Sequence, residues 1–195
     1  VYVKNFPDKR ITIGEVAKTA QINSWGTIAY ADSYRQKNCP PCFVTHFVEV
    51  EVDTWTGEIR FPRVLIYGDC GTPVNPDLVR GQLIGAFNRG MGFAVYENTL
   101  YEENQTGNLK CHGYLVDYKT PTSMEMPLAD QITVCLADTY EPSGPFGAKG
   151  IGEAAFSSVA AAISNAVYNA VGIRFTDLPL TPERVLKAIK EKGIS

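Results

Sequence analysis

The sequence has no excess of positive charge and no long apolar run. Its 18 Lys and Arg residues are outnumbered by 21 Asp and Glu residues, and the formal net charge is −3. A nucleic-acid-binding domain usually carries a basic patch, and a membrane-spanning helix needs about 20 consecutive apolar residues. The sequence has neither feature, so we expect no nucleic-acid partner and no membrane partner.

Cysteine and histidine are also sparse, which restricts redox and metal chemistry. The 195 residues include five cysteines and two histidines. Disulfide frameworks are typical of smaller secreted domains, so we expect free thiols and a cytoplasmic location. Cys39 and Cys42 can form a redox pair or half a zinc site, but a closed zinc site needs four ligands. The adjacent Cys111 and His112 lack the usual ligand spacing, so no metal bound by side chains is expected.

Alternating apolar residues predict strands in the first half of the chain. Phe43–Asp53 has a valine or His46 at every second position, which predicts a half-buried strand with the histidine in the core. Thr54–Gly57 can turn the chain, and Glu58–Tyr67 then returns as the second strand of a hairpin. Two further strands are predicted at Ile11–Ile13 and Ile132–Ala137.

Apolar residues three or four apart predict helices. Gly14–Ala20 is a short one, and Asp77–Val95 is a longer one that contains four glycines. Each glycine costs about 1 kcal/mol relative to alanine in a helix interior, so we expect another backbone or a ligand close by. A third helix is predicted to open at Glu153 and end at Gly172, and a fourth to begin after Thr181. Without regular βαβ units, this mixture predicts an α+β fold with mixed sheet hairpins and packed helices.

A glycine-rich loop, Gly144–Glu153, is the strongest candidate for a functional site. Such loops present backbone N–H groups to an anion, and a carboxylate at the following helix start is well placed at a cavity mouth. The plain alternative is that Glu153 only interacts favourably with the helix dipole. A nucleotide-binding P-loop is improbable because Lys149 is not followed by Ser or Thr. Asp69–Pro76 either lines a cofactor cavity or is ordinary turn chemistry.

Six groups of short motifs follow one another along the chain. They are His46–Asp53 with Thr56-Gly57, Asp69-x-Gly71 with Val74–Pro76, Gly81-Gln82 with Gly85–Phe87 and Gly90-x-Gly92, Leu115-x-Asp117-Tyr118 with Pro121-Thr122, Gly144–Glu153, and Leu178–Leu186. Together they resemble the C-terminal part of the molybdenum-cofactor subunit of the molybdenum hydroxylases, the xanthine dehydrogenase and aldehyde oxidoreductase family. Each group alone is weak, but six in the family's order are highly specific.

The resemblance implies an oxidoreductase that hydroxylates an electron-poor carbon with water-derived oxygen. In that family a molybdopterin-type molybdenum cofactor carries the redox chemistry, and iron–sulfur clusters and FAD lie on other domains or subunits. A glutamate in the position of Glu153 is the general base. The expected cofactor-binding residues are Phe146, Gly147, Ala148, Lys149, Gly150 and Arg89. Arg89 departs from the family, which often has a cofactor-contacting glutamine there.

The resemblance also implies that the chain is part of a larger assembly. Residues 1–195 correspond to the C-terminal portion of the family's second molybdenum-cofactor-binding domain, and residues 1–42 match it only loosely. We expect a fragment or small subunit that is inactive alone. Its expected partners are the rest of the molybdenum-binding part and the iron–sulfur and FAD domains or subunits. A purine or other N-heterocycle is the expected substrate, and an aldehyde is the alternative.

Two other functions compete with this prediction. The domain can be a non-catalytic scaffold or interaction module that has kept the fold without the cofactor. A glycine-rich loop that ends in an acid argues against this alternative, because a scaffold has no need of it. The other alternative is a thiol-redox module, for which changing Cys39 and Cys42 to serine abolishes function.

Overall fold

A computed structural model describes residues 1–33, 38–101 and 118–194. These residues form two compact units, one within Val1–Gln36 and the other within Lys37–Ser195. The motif residues Leu115–Asp117 lie outside the described residues, as do Cys111 and His112.

The first unit is a small hairpin followed by a helix. Its elements are β1 (Tyr2–Val3), β2 (Phe6–Arg10) and α1 (Ile13–Ile22). The Thr12 hydroxyl accepts the Glu15 N–H at 3.2 Å, and the Glu15 carboxylate accepts the Thr12 N–H at 2.9 Å. The helix predicted at Gly14–Ala20 is confirmed. The strand predicted at Ile11–Ile13 is wrong, because Thr12 caps the helix that begins at the next residue.

The second unit is built on a three-stranded sheet. Its strands are β3 (Phe43–Val52), β4 (Ile59–Asp69) and β5 (Ile132–Leu136). β3 and β4 are the predicted antiparallel hairpin, and Gly57 in its turn has a φ of +78°. β5 lies on the other side of β4 and runs parallel to it. The hairpin follows from local pattern, whereas the parallel pairing joins segments that are distant in sequence.

Three helices pack on this sheet. They are α2 (Pro76–Met91), which continues as a π-helical segment at Gly92–Tyr96, α3 (Val159–Val171) and α4 (Pro182–Lys192). The Asn75 side chain caps α2 by accepting the N–H groups of Asp77 and Leu78, each at 3.1 Å. Gly172 ends α3 with a φ of +66°, and Thr181 caps α4. The predicted helix end at Gly172 and helix start after Thr181 are confirmed.

The helix predicted to open at Glu153 is wrong at its start. α3 begins at Val159, and residues 154–158 form turns. The Phe156 N–H donates to the Glu153 carbonyl, three residues back, at 3.1 Å. The apolar spacing extends into these turns at Phe156, which is partly buried against the core, so the pattern placed the helix start too early.

The core lies between one face of the sheet and the three helices. His46 and the valines of β3 face this core, as the alternation predicted. Fully buried side chains include Val64, Ile66, Leu83, Phe87, Met91, Val159, Ile163, Val167, Leu180, Val185 and Ile189. Each contributes about 1.5–3 kcal/mol when removed from water, so the sheet and helices form a firm support for the loops. The α+β prediction is confirmed. Among the described helices, none has the length and apolarity needed to cross a bilayer.

Candidate functional site

Two parallel strands bring two loops together at one edge of the sheet. β4 ends at Asp69 and β5 ends at Leu136. The carboxyl ends of neighbouring parallel strands lie at the same edge, where α/β proteins commonly place ligands. The loop after Asp69 therefore lies beside the glycine-rich loop, and an isolated bridge joins Gly71 to Ala148.

The first part of the glycine-rich loop, Gly144–Lys149, is crowded, and we refer to it as the crowded half. Phe146 and Gly147 have φ angles of +55° and +84°. The Gly147 carbonyl accepts the N–H groups of Thr72 at 2.8 Å and Glu141 at 3.0 Å. A Cβ on Gly147 would overlap the Tyr140 ring and lie 2.7 Å from the Thr72 hydroxyl oxygen. Only glycine fits this position.

Lys149 ends the crowded half in an ion pair with Asp69. Its Nζ lies 2.6 Å from Asp69 Oδ2, and the two side chains are only 9% and 18% exposed. Asp69 Oδ1 also accepts the Thr139 hydroxyl at 2.6 Å and the Gly71 N–H at 3.1 Å. The Lys149 N–H donates to the Cys70 carbonyl at 2.7 Å. The ammonium group and the backbone N–H of the predicted cofactor residue Lys149 therefore both have partners within the protein.

The charge of Asp69 follows from these contacts. Burial raises the pKa of its carboxyl group, but hydrogen bonds from Lys149, Thr139 and Gly71 outweigh it and leave the pKa below its ordinary value. A lowered pKa means that the ion pair stabilises the fold above about pH 4 and is lost as the pH falls through the folded-state value. At neutral pH the Asp69 carboxyl group is therefore ionised.

The second part of the loop, Gly150–Glu153, is the open half. None of its four backbone N–H groups donates to another group within the described ranges. A Cβ on Gly150 or Gly152 would meet nothing within 4 Å. From α2, Gln82 Nε2 donates to the Gly152 carbonyl at 2.6 Å. The open half thus presents a run of free donors, which suits an anionic group.

Glu153 and Arg89 come together at the end of the open half. Arg89 Nη1 lies 3.2 Å from Glu153 Oε1, and the two side chains are 58% and 84% exposed. The guanidinium group stacks 4.8 Å from the Phe156 ring centroid, and that ring meets Phe93 edge-on at 5.2 Å. The structure therefore joins the predicted base to the residue that departs from the family, and an aromatic pair supports the arginine.

The glycines of α2 and of the π-helical segment that follows it fall into two classes. A Cβ on Gly90 would collide with Val159, and one on Gly92 would collide with the Glu97 side chain. A Cβ on Gly81 or Gly85 would meet nothing within 4 Å. The close approach predicted for this helix is thus explained by protein packing at only two of the four positions.

A groove of ≈ 480 Å³ lies between the start of α2 and the glycine-rich loop. Leu78 and Val74 on its wall are 72% and 80% exposed, and Ile151 and Gly152 belong to the open half. The groove combines apolar walls with the free donors, a mixture typical of small-molecule sites.

Ser158, in the turns after the open half, contacts the core residue His46. Its hydroxyl lies 2.8 Å from His46 Nδ1, and the histidine is only 8% exposed. Burial lowers the pKa of His46, so the ring is neutral at physiological pH. Its Nε2 is buried without a hydrogen-bond partner among the described residues. The prediction that His46 is a core residue is confirmed.

The cysteines make a poor redox site. Cys39, Cys42, Cys70 and Cys135 are free thiols. Burial raises the pKa of Cys42, which makes its reactive thiolate less available. Within the described ranges, no group of three or more His, Cys, Asp or Glu side chains is arranged to hold a metal ion.

The sequence interpretation missed the roles of Asp69 and Thr139. Asp69 was noted only as part of the Asp69–Pro76 segment and of the Asp69-x-Gly71 motif, and its partner Lys149 follows it by 80 residues. The Asp69-x-Gly71 motif was the available signal, because the short side chain accepts the N–H two residues later. The pairing with Lys149 has no local mark in the sequence.

Similar proteins were found by sequence and by structure. The family described as molybdopterin cofactor-binding domain matches residues 1–127. The molybdenum-binding subunit PaoC of the aldehyde oxidoreductase of Escherichia coli K12 is 40% identical over 149 residues, which are 76% of this chain and 20% of PaoC. The 6-hydroxypseudooxynicotine dehydrogenase subunit gamma of Paenarthrobacter nicotinovorans is 35% identical over 187 residues, which are 91% of this chain and 23% of that subunit.

The structural comparison covers both units. A CO dehydrogenase chain from Oligotropha carboxidovorans matches 99% of this chain with a TM-score of 0.82 and 27% identity. The match covers 24% of that dehydrogenase chain. The chain therefore spans between 20% and 24% of the length of these relatives.

Proposed function

Because the chain belongs to the molybdopterin cofactor-binding domain family, we propose that it supplies the general base and part of the cofactor face of a molybdenum hydroxylase. The family membership confirms the resemblance seen in the sequence, and it makes molybdopterin the cofactor of the domain. The chain spans about a fifth of its relatives, so the remaining cofactor contacts are proposed to come from the rest of the molybdenum-binding part.

The proposal rests on four glycines that neither close packing nor a positive φ requires. Gly81, Gly85, Gly150 and Gly152 all face open space and have no positive φ. Gln82 and Arg89 join this part of α2 to the open half through Gly152 and Glu153. A surface kept free of side chains on both the helix and the loop fits a large group that lies close to the backbone.

The open half can hold the anionic parts of the cofactor. The free N–H groups of Gly150–Glu153 are the donors, and the Arg89 guanidinium group adds a positive charge. Phe146, whose side chain is 88% exposed, offers an apolar contact beside them. In contrast, Lys149 contributes through its position in the loop, because its ammonium group is bound to Asp69. When bound, the cofactor supplies the two-electron redox chemistry of the hydroxylation.

Glu153 is proposed to take the proton from the attacking oxygen. Its carboxylate is exposed, and one oxygen contacts Arg89 at 3.2 Å, which orients the group. A general base at this position contributes about 100- to 10,000-fold to the rate. Two glycines of the open half allow the loop to place the carboxylate at the mouth of the site.

The proposed substrate is a purine or another N-heterocycle with an electron-poor carbon. Relatives named as a probable hypoxanthine oxidase, at 31% identity, and a nicotine 6-hydroxylase, at 35% identity, support this class. An aldehyde is the second candidate, which the 40% identity to an aldehyde oxidoreductase subunit supports. Iron–sulfur and FAD domains or subunits are the proposed partners that remove the electrons.

The decisive experiment compares wild type with Glu153→Gln in the full enzyme that contains this chain. Xanthine, nicotinate and an aldehyde are the substrates, and molybdenum content is measured in parallel. We expect turnover to fall by about 100- to 10,000-fold with unchanged molybdenum, because the amide cannot accept the proton. Glu183→Gln, an exposed change on α4, is the matched control and should keep full activity. Full activity of Glu153→Gln would instead favour a structural role for the loop.

A further inference from the structure

We propose that Asp69 is a positioning residue that sets the location of Glu153 by fixing Lys149. The inference rests on the proposed role of Glu153 as the base. Asp69 stands at the end of β4, which is a central strand of the sheet, so its own position is firmly determined. Lys149 is the last residue of the crowded half and precedes Glu153 by four positions.

The Asp69 carboxylate accepts hydrogen bonds from three separate segments of the chain. Its two carboxylate oxygens accept from Lys149 Nζ at 2.6 Å, the Thr139 hydroxyl at 2.6 Å and the Gly71 N–H at 3.1 Å. These donors come from three different segments, namely the glycine-rich loop, the segment after β5 and the turn after β4. One carboxylate therefore ties together all three segments around the proposed site.

Backbone pairing reinforces the same junction. The Lys149 N–H donates to the Cys70 carbonyl at 2.7 Å, and the Thr72 N–H donates to the Gly147 carbonyl at 2.8 Å. These bonds align the loop with the chain that leaves β4. The Lys149 and Asp69 side chains are each less than one-fifth exposed, so water competes poorly for the ion pair.

The open half depends on this junction because it has few contacts of its own. Gly150–Glu153 makes no backbone N–H bond to the described residues. It is attached by Lys149 at one end and by the Ser158 contact with His46 beyond the other end. Between them, Gln82 contacts Gly152 and Arg89 contacts Glu153. A displacement at Lys149 is therefore transmitted to Glu153. Misplacing a catalytic group by about 1 Å can reduce the rate about 100-fold.

The test uses Asp69→Asn in the full enzyme, alone and combined with Glu153→Gln. The asparagine keeps the size of the side chain and removes its charge. We expect kcat to fall about 100-fold while KM changes by less than about twofold, because substrate binding is not altered. Hydrogen exchange at the Thr72 and Lys149 amides should become faster, which reports the loop without using activity. Glu58→Gln, which breaks the exposed pair with Arg60, is the control and should change none of these.

Combining the variants separates positioning from general destabilisation. If Asp69 acts through Glu153, then Asp69→Asn causes no further loss in the Glu153→Gln enzyme under single-turnover conditions. Lys149→Met should match Asp69→Asn, and the Asp69→Asn/Lys149→Met double variant should be no worse than either. Lys149→Arg keeps the positive charge and should therefore retain more activity than Lys149→Met.

Three results would overturn the inference. The first is that Asp69→Asn lowers turnover by the same factor in wild type and in the Glu153→Gln enzyme, which indicates a structural effect. The second is unchanged amide exchange at Thr72 and Lys149. The third is an additive loss in the Asp69→Asn/Lys149→Met double variant. Full activity of Glu153→Gln alone would reject the proposed base itself, and faster amide exchange would then leave Asp69 as a structural residue only.

Discussion

The crowded half and the open half belong to one short loop, yet they use glycine for opposite reasons. In Gly144–Lys149, a Cβ on Gly147 would collide with Tyr140 and Thr72, and the backbone is left-handed. In Gly150–Glu153, added Cβ atoms would meet open space. Glycine content alone therefore does not identify a ligand site. The surroundings of each glycine decide whether it serves packing or access.

The two halves also differ in where their polar groups are directed. The crowded half turns its Lys149 ammonium and N–H groups inward, to Asp69 and Cys70. The open half leaves its N–H groups without partners among the described residues and carries the exposed Glu153. A rigid support followed by a free segment is a suitable arrangement for presenting a catalytic group.

Alanine substitutions in the two halves give the largest contrast. Gly147→Ala should destabilise the fold by about 2–4 kcal/mol, because it combines an unfavourable φ with overpacking. Gly150→Ala should change stability by less than about 0.5 kcal/mol, because the methyl group enters open space. Thermal unfolding of the purified protein measures both effects. Equal destabilisation by the two variants would contradict the division of the loop.

The Gly150→Ala variant also tests whether the open half contacts the cofactor. Gly150→Ala should lower the molybdenum-cofactor content of the full enzyme although the fold is unaffected, because the methyl group narrows the proposed cofactor face. Cofactor analysis of the purified enzyme checks this. An enzyme with normal content would mean that the open space at Gly150 is not occupied by the cofactor.

Alanine substitutions on α2 are expected to change stability by a smaller amount and in the opposite direction. Gly81→Ala and Gly85→Ala should each stabilise the helix by about 0.5–1 kcal/mol, because alanine is the better helix former and neither position is crowded. Both should reduce cofactor content, so stability and function change in opposite directions. Thermal unfolding and cofactor analysis separate the two, and Lys187→Ala on the exposed side of α4 is a control for helix propensity. A loss of stability in either glycine variant would contradict the open geometry.

The smallest expected effect is a pH dependence of stability at His46, which contacts Ser158 in the turns after the open half. Burial lowers the pKa of His46 below its usual value near 6.5. The neutral ring therefore contributes full stability above about pH 6.5, and this contribution is lost as the pH falls toward the lowered folded-state pKa. Thermal unfolding at pH 7 and pH 5 should show a loss in wild type that is reduced in His46→Gln. An equal loss in both proteins would show that other groups titrate.

Much of the fold was predictable because it depends on near neighbours. Alternation identified β3 and the hairpin, and capping residues located the ends of two helices, at Gly172 and Thr181. The start of α3 was misplaced because Phe156 continues the apolar pattern into the turns before the helix. In the site, the resemblance identified Glu153 and Arg89 as candidates, but their contact became visible only in the folded chain.

The hairpin, the helix ends at Gly172 and Thr181 and the family could be identified from the sequence, since they depend on side-chain periodicity, local hydrogen bonding and short motifs in order. The parallel pairing of β5 with β4 arises from tertiary packing, and it brings the segments after both strands together. From it follow the Asp69–Lys149 ion pair and the separation of the loop into a supported and a free half. Contacts between distant residues depend on how strands and helices pack, and packing leaves no mark within any single segment.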